Sequence, residues 1–207
     1  MSTGKVLPDD EIIRDRDCRF EGHKTIVNLF SPVKSVGMWA FRNSGNLISI
    51  SLPNATHIGE SAFFWCENLT SVSLPNVTHL GERAFLGCKS LTSVSLPNAA
   101  HIEKRAFLGC KSLTSISLPN VTHIGERVFW GCRSLTDISL PNAAHIGERA
   151  FWECENLTSV SLPSVKEIYK HAFYKCRNLI GKIIVLPDGA VVQKEAFPDG
   201  IKIVCPL

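Results

Sequence analysis

One proline returns every 22 residues in this chain: Pro53, Pro75, Pro97, Pro119, Pro141 and Pro163 keep that interval. The same interval separates Cys66, Cys88, Cys110, Cys132, Cys154 and Cys176, and it holds at Phe63, Phe85, Phe107, Phe129, Phe151 and Phe173 and at Leu47, Leu69, Leu91, Leu113, Leu135, Leu157 and Leu179. A fixed period of this length means one small unit copied many times. No coil of that size buries its own Leu, Val, Ile, Phe and Cys side chains, so neighbours must stack to make a shared core. The unit at 91–112 reads LTSVSLPNAAHIEKRAFLGCKS, and the next opens LTSISLPNVTHIGERVFWGCRS. A weaker unit precedes the regular ones, with Val36, Gly37, Ala40 and Phe41 at the positions of Ile58, Gly59, Ala62 and Phe63. A degenerate one follows, with extra residues near Gly181 and Lys182 before Leu186, Pro187, Ala196 and Phe197.

Within a unit, LTSVSL reads as a half-buried strand by alternation, with Leu, Val and Leu on one side and the serines on the other. The following proline ends it. A segment such as 77–81 predicts a short second strand, and 82–88 is too short for a stable α-helix but suits a helical turn. Parallel strands in successive coils then lie about 4.8 Å apart. Residues 1–24, rich in charge at Asp9, Asp10, Glu11, Arg14, Asp15, Arg16 and Asp17, read as an N-terminal cap or tail, 25–200 as the solenoid, and 201–207 as a C-terminal capping strand.

The pattern LxxVxLPxxxxIGxxAFxxCxx, carried at 69–90 by Leu69, Val72, Leu74, Pro75, Leu80, Gly81, Ala84, Phe85 and Cys88, resembles the BspA-like leucine-rich repeats, also called the Treponema pallidum type. The resemblance covers about residues 36–198. It implies a leucine-rich-repeat solenoid: a right-handed coil of about eight 22-residue repeats, a parallel β-sheet on the concave face, and short strands or helical turns on the convex face. It also implies a non-catalytic protein-protein binding module, adhesin-like and at the cell surface or secreted. The unit here is 22 residues where 23 is commoner in that family. No apolar stretch reads as a signal peptide or a transmembrane segment, so the sequence by itself predicts a cytoplasmic chain and an intracellular scaffold as the competing role.

Charge excludes little beyond polyanion capture. With 22 Lys and Arg against 19 Asp and Glu the net charge is +3, too weak a field for nucleic acid. No membrane insertion and no cofactor are expected. The cysteine row lacks the paired spacing of a metal site and is read as small buried thiols, whose unpaired state points to a reducing compartment. Cys18 and Cys205 lie outside the row.

His57, His79, His101, His123 and His145 form a second row, read as a repeated surface contact. If these imidazoles protonate together, their repulsion weakens the fold in mild acid. Ser and His recur together in every unit, but a catalytic triad needs one unique constellation with an oriented third group, so no enzyme is expected. The Asn-x-Thr acceptors at Asn54, Asn68, Asn76, Asn120 and Asn156 arise from the repetition itself.

The outward strand positions, such as Thr92, Ser93 and Ser95, are plain hydroxyls. Richer chemistry follows the phenylalanines, where side chains vary from coil to coil. Trp65, Lys89, Lys111, Trp130, Arg133, Trp152 and Tyr174 are the candidate partner-binding residues, an aromatic row interleaved with cations of the kind that anchors protein interfaces.

Overall fold

In a computed structural model, residues 33–205 are described in full, together with the backbone of two earlier strands, Ile12–Ile13 and Thr25–Asn28. Apart from those strands, the expected N-terminal cap at 1–24, Cys18 with it, lies outside the described residues. The chain winds into stacked coils, each contributing one strand to each of two ladders. The first ladder consists of two-residue strands in a nine-stranded parallel sheet: Ile12–Ile13, Ser35–Val36, His57–Ile58, His79–Leu80, His101–Ile102, His123–Ile124, His145–Ile146, Glu167–Ile168 and Val191–Val192. Its register pairs each residue with its own copy one unit later, as in His57 with His79 and Ile58 with Leu80. One repeat is therefore one turn of the solenoid.

The second ladder begins with a five-stranded parallel sheet of Thr25–Asn28, Leu47–Ser51, Ser71–Ser73, Ser93–Ser95 and Ser115–Ser117. It continues through the pair Asp137–Ser139 and Ser159–Ser161, then through Ile183–Val185 and Lys202–Val204. The extra residues near Gly181 shift the register, so that Glu167 pairs with Val191. On the second ladder, Ser159–Ser161 and Ile183–Val185 do not pair, and a groove of about 390 Å³ opens there, lined by Val160, Leu162, Pro163, Ile183, Val185 and Pro187 among others.

Two local expectations are corrected. Simple alternation does not hold over LTSVSL, because Leu91 is out of phase with Val94 and Leu96 although all three are buried. The strand is only Ser93–Ser95, and both Thr92 and Ser93 are exposed. A turn closed by the Leu91 amide on the Cys88 carbonyl, at 3.2 Å, aims Leu91 inward before the strand begins.

The segment after each short strand is not helical. Its backbone enters the left-handed region twice per coil, for example at Arg83 (φ 56°) and Gly87 (φ 75°), and again at Arg105 (φ 60°) and Gly109 (φ 74°). A non-glycine residue there costs about 1–2 kcal/mol, and hydrogen bonds to the next coil offset it. The amides of Arg83, Phe85 and Gly87 donate to the carbonyls of Lys104, Ala106 and Leu108 at 3.1, 2.8 and 2.8 Å. Among the described residues the one helical element is a single 3₁₀ turn, Arg177–Leu179.

The core is a set of identical columns. Phe41, Phe63, Phe85, Phe107, Phe129, Phe151, Phe173 and Phe197 stack with centroids from 4.8 to 5.5 Å apart and near-parallel planes. Ring offset at that spacing lets aromatic quadrupoles attract while each ring loses its water. Columns of Ala, Leu, Ile and Cys complete the interior.

Candidate protein-contact surface

Three of the repeated rows are structural fasteners. The six row cysteines are buried and unpaired. Each Sγ donates to a phenylalanine carbonyl 25 residues earlier, from Cys66 on Phe41 at 2.9 Å to Cys176 on Phe151 at 3.1 Å. Burial pushes the Cys66 thiol up to about 12, and it raises Cys88 and Cys110 well above the ordinary range. Thiols that stay protonated and out of solvent resist oxidation. Their unpaired state therefore carries no weight for a reducing compartment. A second fastener is the amide of Asn76, Asn98, Asn120 and Asn142, which donates to the preceding proline carbonyl one coil back at 2.6 to 2.8 Å. Asn76 and Asn120 of the apparent glycosylation acceptors are thus spent on holding coils together.

The histidine row is the third. His57 and His79 stack with centroids 4.6 Å apart and planes 4° from parallel, and His123 and His145 stack at 4.8 Å and 17°. Parallel planes send the ring lone pairs in parallel rather than to one point, which is poor geometry for a shared metal. Nδ1 of His57, His79 and His123 lies 2.8, 2.8 and 2.9 Å from the hydroxyl of the preceding threonine. That hydroxyl also reaches a carbonyl one coil back, so the ring is tied by a threonine and not paired with a serine nucleophile.

The variable row divides into two clusters. At the C-terminal end Trp130 and Trp152 have centroids 5.5 Å apart, and Tyr174 follows at 4.7 Å. Arg127 and Arg149 each lie 5.4 Å over the indole of their own coil, and Lys175 approaches Trp152 to 5.5 Å. Glu153 gathers the polar groups: Trp152 Nε1 donates at 3.2 Å, Lys175 at 3.1 Å and Arg133 at 3.4 Å. Partial desolvation pushes the Glu153 pKa up, but the bonds from Lys175 and Trp152, the Lys175 charge and Arg133 outweigh it and hold the carboxyl below its usual range. Arg133 also reaches Glu155 at 3.4 Å. The three rings are half-buried and Arg133 is exposed.

At the N-terminal end Trp65 is 45% exposed and lies flat on the next coil, where a Cβ on Gly87 would stand 3.0 Å from its indole. Lys89 sits 5.1 Å over that ring and pairs with Glu67 at 2.7 Å. Half-buried Leu86 and Leu108 separate the clusters, and exposed Lys111 stands beside them with no ion pair among the described residues. The sequence reading brought these seven residues onto one side of the solenoid but did not find Trp39 and Arg42, which extend the N-terminal cluster. Trp39 is 39% exposed, and Arg42 stacks 5.7 Å from its ring and 5.4 Å from Phe64. The signal lay in the first, weaker unit, whose Trp and Arg sit at register positions that other coils fill differently.

The strand face is plain, as expected, until its last coils. Ile183 and Val185 stand where Ser159 and Ser161 stand one coil earlier, and they are 62% and 56% exposed.

Known proteins share this architecture. The structure of a leucine-rich repeat protein from Bacteroides ovatus ATCC 8483 superposes with a TM-score of 0.83 at 29% identity, over 98% of this chain and 53% of that one. The T. pallidum leucine-rich repeat protein TpLRR matches with a TM-score of 0.57 at 29% identity, over 95% of this chain and 88% of that one. A leucine-rich repeat protein from Eubacterium ventriosum ATCC 27560, 23% identical, shares the fold with a TM-score of 0.68 over 84% of this chain and 60% of that one. The chain thus spans about half the length of the B. ovatus protein. Among curated proteins none matches. The family described as BspA type leucine-rich repeat region, in 6 copies, matches residues 16–100 and 78–203. With that match over most of its length, and with one 22-residue unit per coil, the chain belongs to the BspA-type leucine-rich-repeat family.

Proposed function

We propose that this chain is a non-catalytic protein-binding module whose contacts run along Trp65, Lys89, Lys111, Trp130, Arg133, Trp152 and Tyr174. The observation that carries the reading is the half-exposed run Trp130, Trp152 and Tyr174, with centroids 5.5 and 4.7 Å apart, mounted on a ladder that fixes its spacing. Aromatic side chains held rigid lose little entropy on binding, and they and arginine dominate interface energetics. The setting implied by the family is the cell surface or the exterior. Among the described residues no helix is long and apolar enough to cross a membrane. The experiment is partner capture by cross-linking in the source organism, repeated with Trp130→Ala and Trp152→Ala. Loss of the captured partner with unchanged thermal unfolding supports the row; unchanged capture removes it.

A second reading, a structural component of a larger assembly, is favoured by a separate patch. Ile180, Ile183, Val185 and Ile203 are all exposed near the last coils. Clustered apolar exposure of this kind marks a surface that another chain covers. Fractionation separates the two readings: recovery only inside a stable complex favours the scaffold, and recovery as a free exported chain favours the binding module.

A further inference from the structure

The coils differ most where one of them breaks the common pattern. In the first left-handed row, Arg83, Arg105, Arg127 and Arg149 occupy successive coils, and the last two lay their guanidinium groups over the tryptophan of their own coil. The coil before Arg83 has Ser61 in that place, 4% exposed and at φ 53°. A short side chain in place of a long one leaves a hollow. The hollow is a pocket of about 290 Å³ lined by Trp39, Arg42, Glu60, Ser61, Phe64 and Arg83. Its volume is at the low end for small-molecule sites and suits one or two side chains of a peptide.

The charges around it are unequal. Arg83 is engaged by Glu60 at 3.5 Å and by Glu82 at 2.9 Å, and Glu82 is shared with Lys104 at 3.2 Å and Arg105 at 3.5 Å. Arg42 has no carboxylate partner among the described residues and is held between the rings of Trp39 and Phe64. A guanidinium stacked on aromatic faces is fixed in orientation while its N–H edge stays free for a bidentate bond to a carboxylate. The pocket therefore has an apolar wall, one uncommitted cation and a floor that already satisfies its only acid.

We propose that this pocket binds an acidic segment of a protein, with an Asp or Glu carboxylate on Arg42 and the adjoining chain against Trp39 and Phe64. The site is a departure from the repeat, and a solenoid of near-identical coils can encode a partner only at such departures. One uncommitted cation is too little to hold a phosphate backbone, which favours a peptide over nucleic acid.

The proposal rests on the chain being a protein-binding module, and the test separates the two claims. A fluorescein-labelled peptide of alternating Glu and Gly is titrated onto the full chain by fluorescence anisotropy, with Gln replacing Glu in the control peptide. The Glu peptide should saturate at one site and bind at least about ten-fold tighter than the Gln peptide. Arg42→Gln should cost about ten-fold or more, whereas Lys202→Gln, which removes one positive charge from the exposed C-terminal strand, should leave affinity within about two-fold.

Ser61→Arg is the decisive variant. It restores the residue that four later coils carry at φ 55 to 60°, so it should fold with an unchanged melting temperature. It fills the pocket while adding a positive charge, and binding should fall about ten-fold. Equal or tighter binding by Ser61→Arg, equal losses in Arg42→Gln and Lys202→Gln, no preference for Glu over Gln, or equally tight binding of an oligothymidine would each overturn the pocket. The Trp130→Ala and Trp152→Ala variants leave this site intact. Failure of the peptide with partner capture still dependent on those tryptophans removes the pocket and leaves the module.

Discussion

The Sγ of Cys110 donates to the carbonyl of Phe85 across 3.2 Å, and the same carbonyl accepts the amide of Cys88 at 3.2 Å. One buried oxygen thus ties the turn of its own coil to the thiol of the next. Cys110→Ala removes one donor and opens a small void while the Cys88 amide remains, so the expected loss is about 1–2 kcal/mol. Cys110→Ser keeps a donor and should cost less than alanine. Urea unfolding of the two variants checks this, and a serine variant less stable than the alanine one would show that the S–H bond contributes nothing.

The same burial predicts chemical silence. Cys205 is exposed, whereas the six row thiols are buried. With the Cys66 thiol pushed up to about 12 and those of Cys88 and Cys110 raised well above the ordinary range, almost none of these three is thiolate at neutral pH. A thiol reagent added to the folded chain should label Cys205 rapidly and the row only after denaturant is added. Rapid labelling of Cys110 in native buffer would contradict the packing.

How much of this was legible follows from which rows carry a residue signature. The phenylalanine and cysteine columns announce themselves because packing accepts few alternatives there. The period therefore implies the stacking and the parallel register, and the residues fixed within the unit carry the resemblance to the family. The left-handed row was hidden because Trp39, Ser61, Arg83, His171 and Glu195 share it at φ 53 to 60° with no common side chain. Hydrogen bonds to the next coil, and no propensity, hold that backbone. Alternation puts Leu91 in the strand only if it runs on through Thr92, and the turn that the Leu91 amide closes on Cys88 leaves no trace in that pattern. The pocket at Ser61 was invisible for a related reason: a serine among arginines reads as drift until the rings around it are placed.

Backbone strain in the second left-handed row can be measured without side-chain interference. Gly109 is at φ 74°, and a Cβ there would meet nothing closer than 4.0 Å. Gly109→Ala should therefore lose about 1 kcal/mol from conformation alone. Gly45 lies outside the left-handed region with nothing within 4 Å, so Gly45→Ala should be neutral or gain up to about 1 kcal/mol. Equal effects in the two variants, read by urea unfolding, would mean that the left-handed geometry carries no cost.

His123 should make the fold sensitive to acid, and the sign follows from the direction of its shift. His123 is held below the ordinary histidine value, first by partial desolvation and then by the charges of His145 and His101 on either side of it. The acid in the same row, Glu167, faces the far side of His145 at 3.9 Å and does not reach His123. A depressed value means that the unfolded chain takes up the proton first. Stability is then complete above about pH 6.5 and falls as the pH drops from there toward the folded value. The melting temperature should accordingly be lower at pH 5 than at pH 7.5. His123→Gln removes the middle charge of three neighbouring rings, so the difference between the two pH values should shrink in that variant while the value at pH 7.5 changes little. An unchanged pH dependence in His123→Gln would assign the acid sensitivity to other groups.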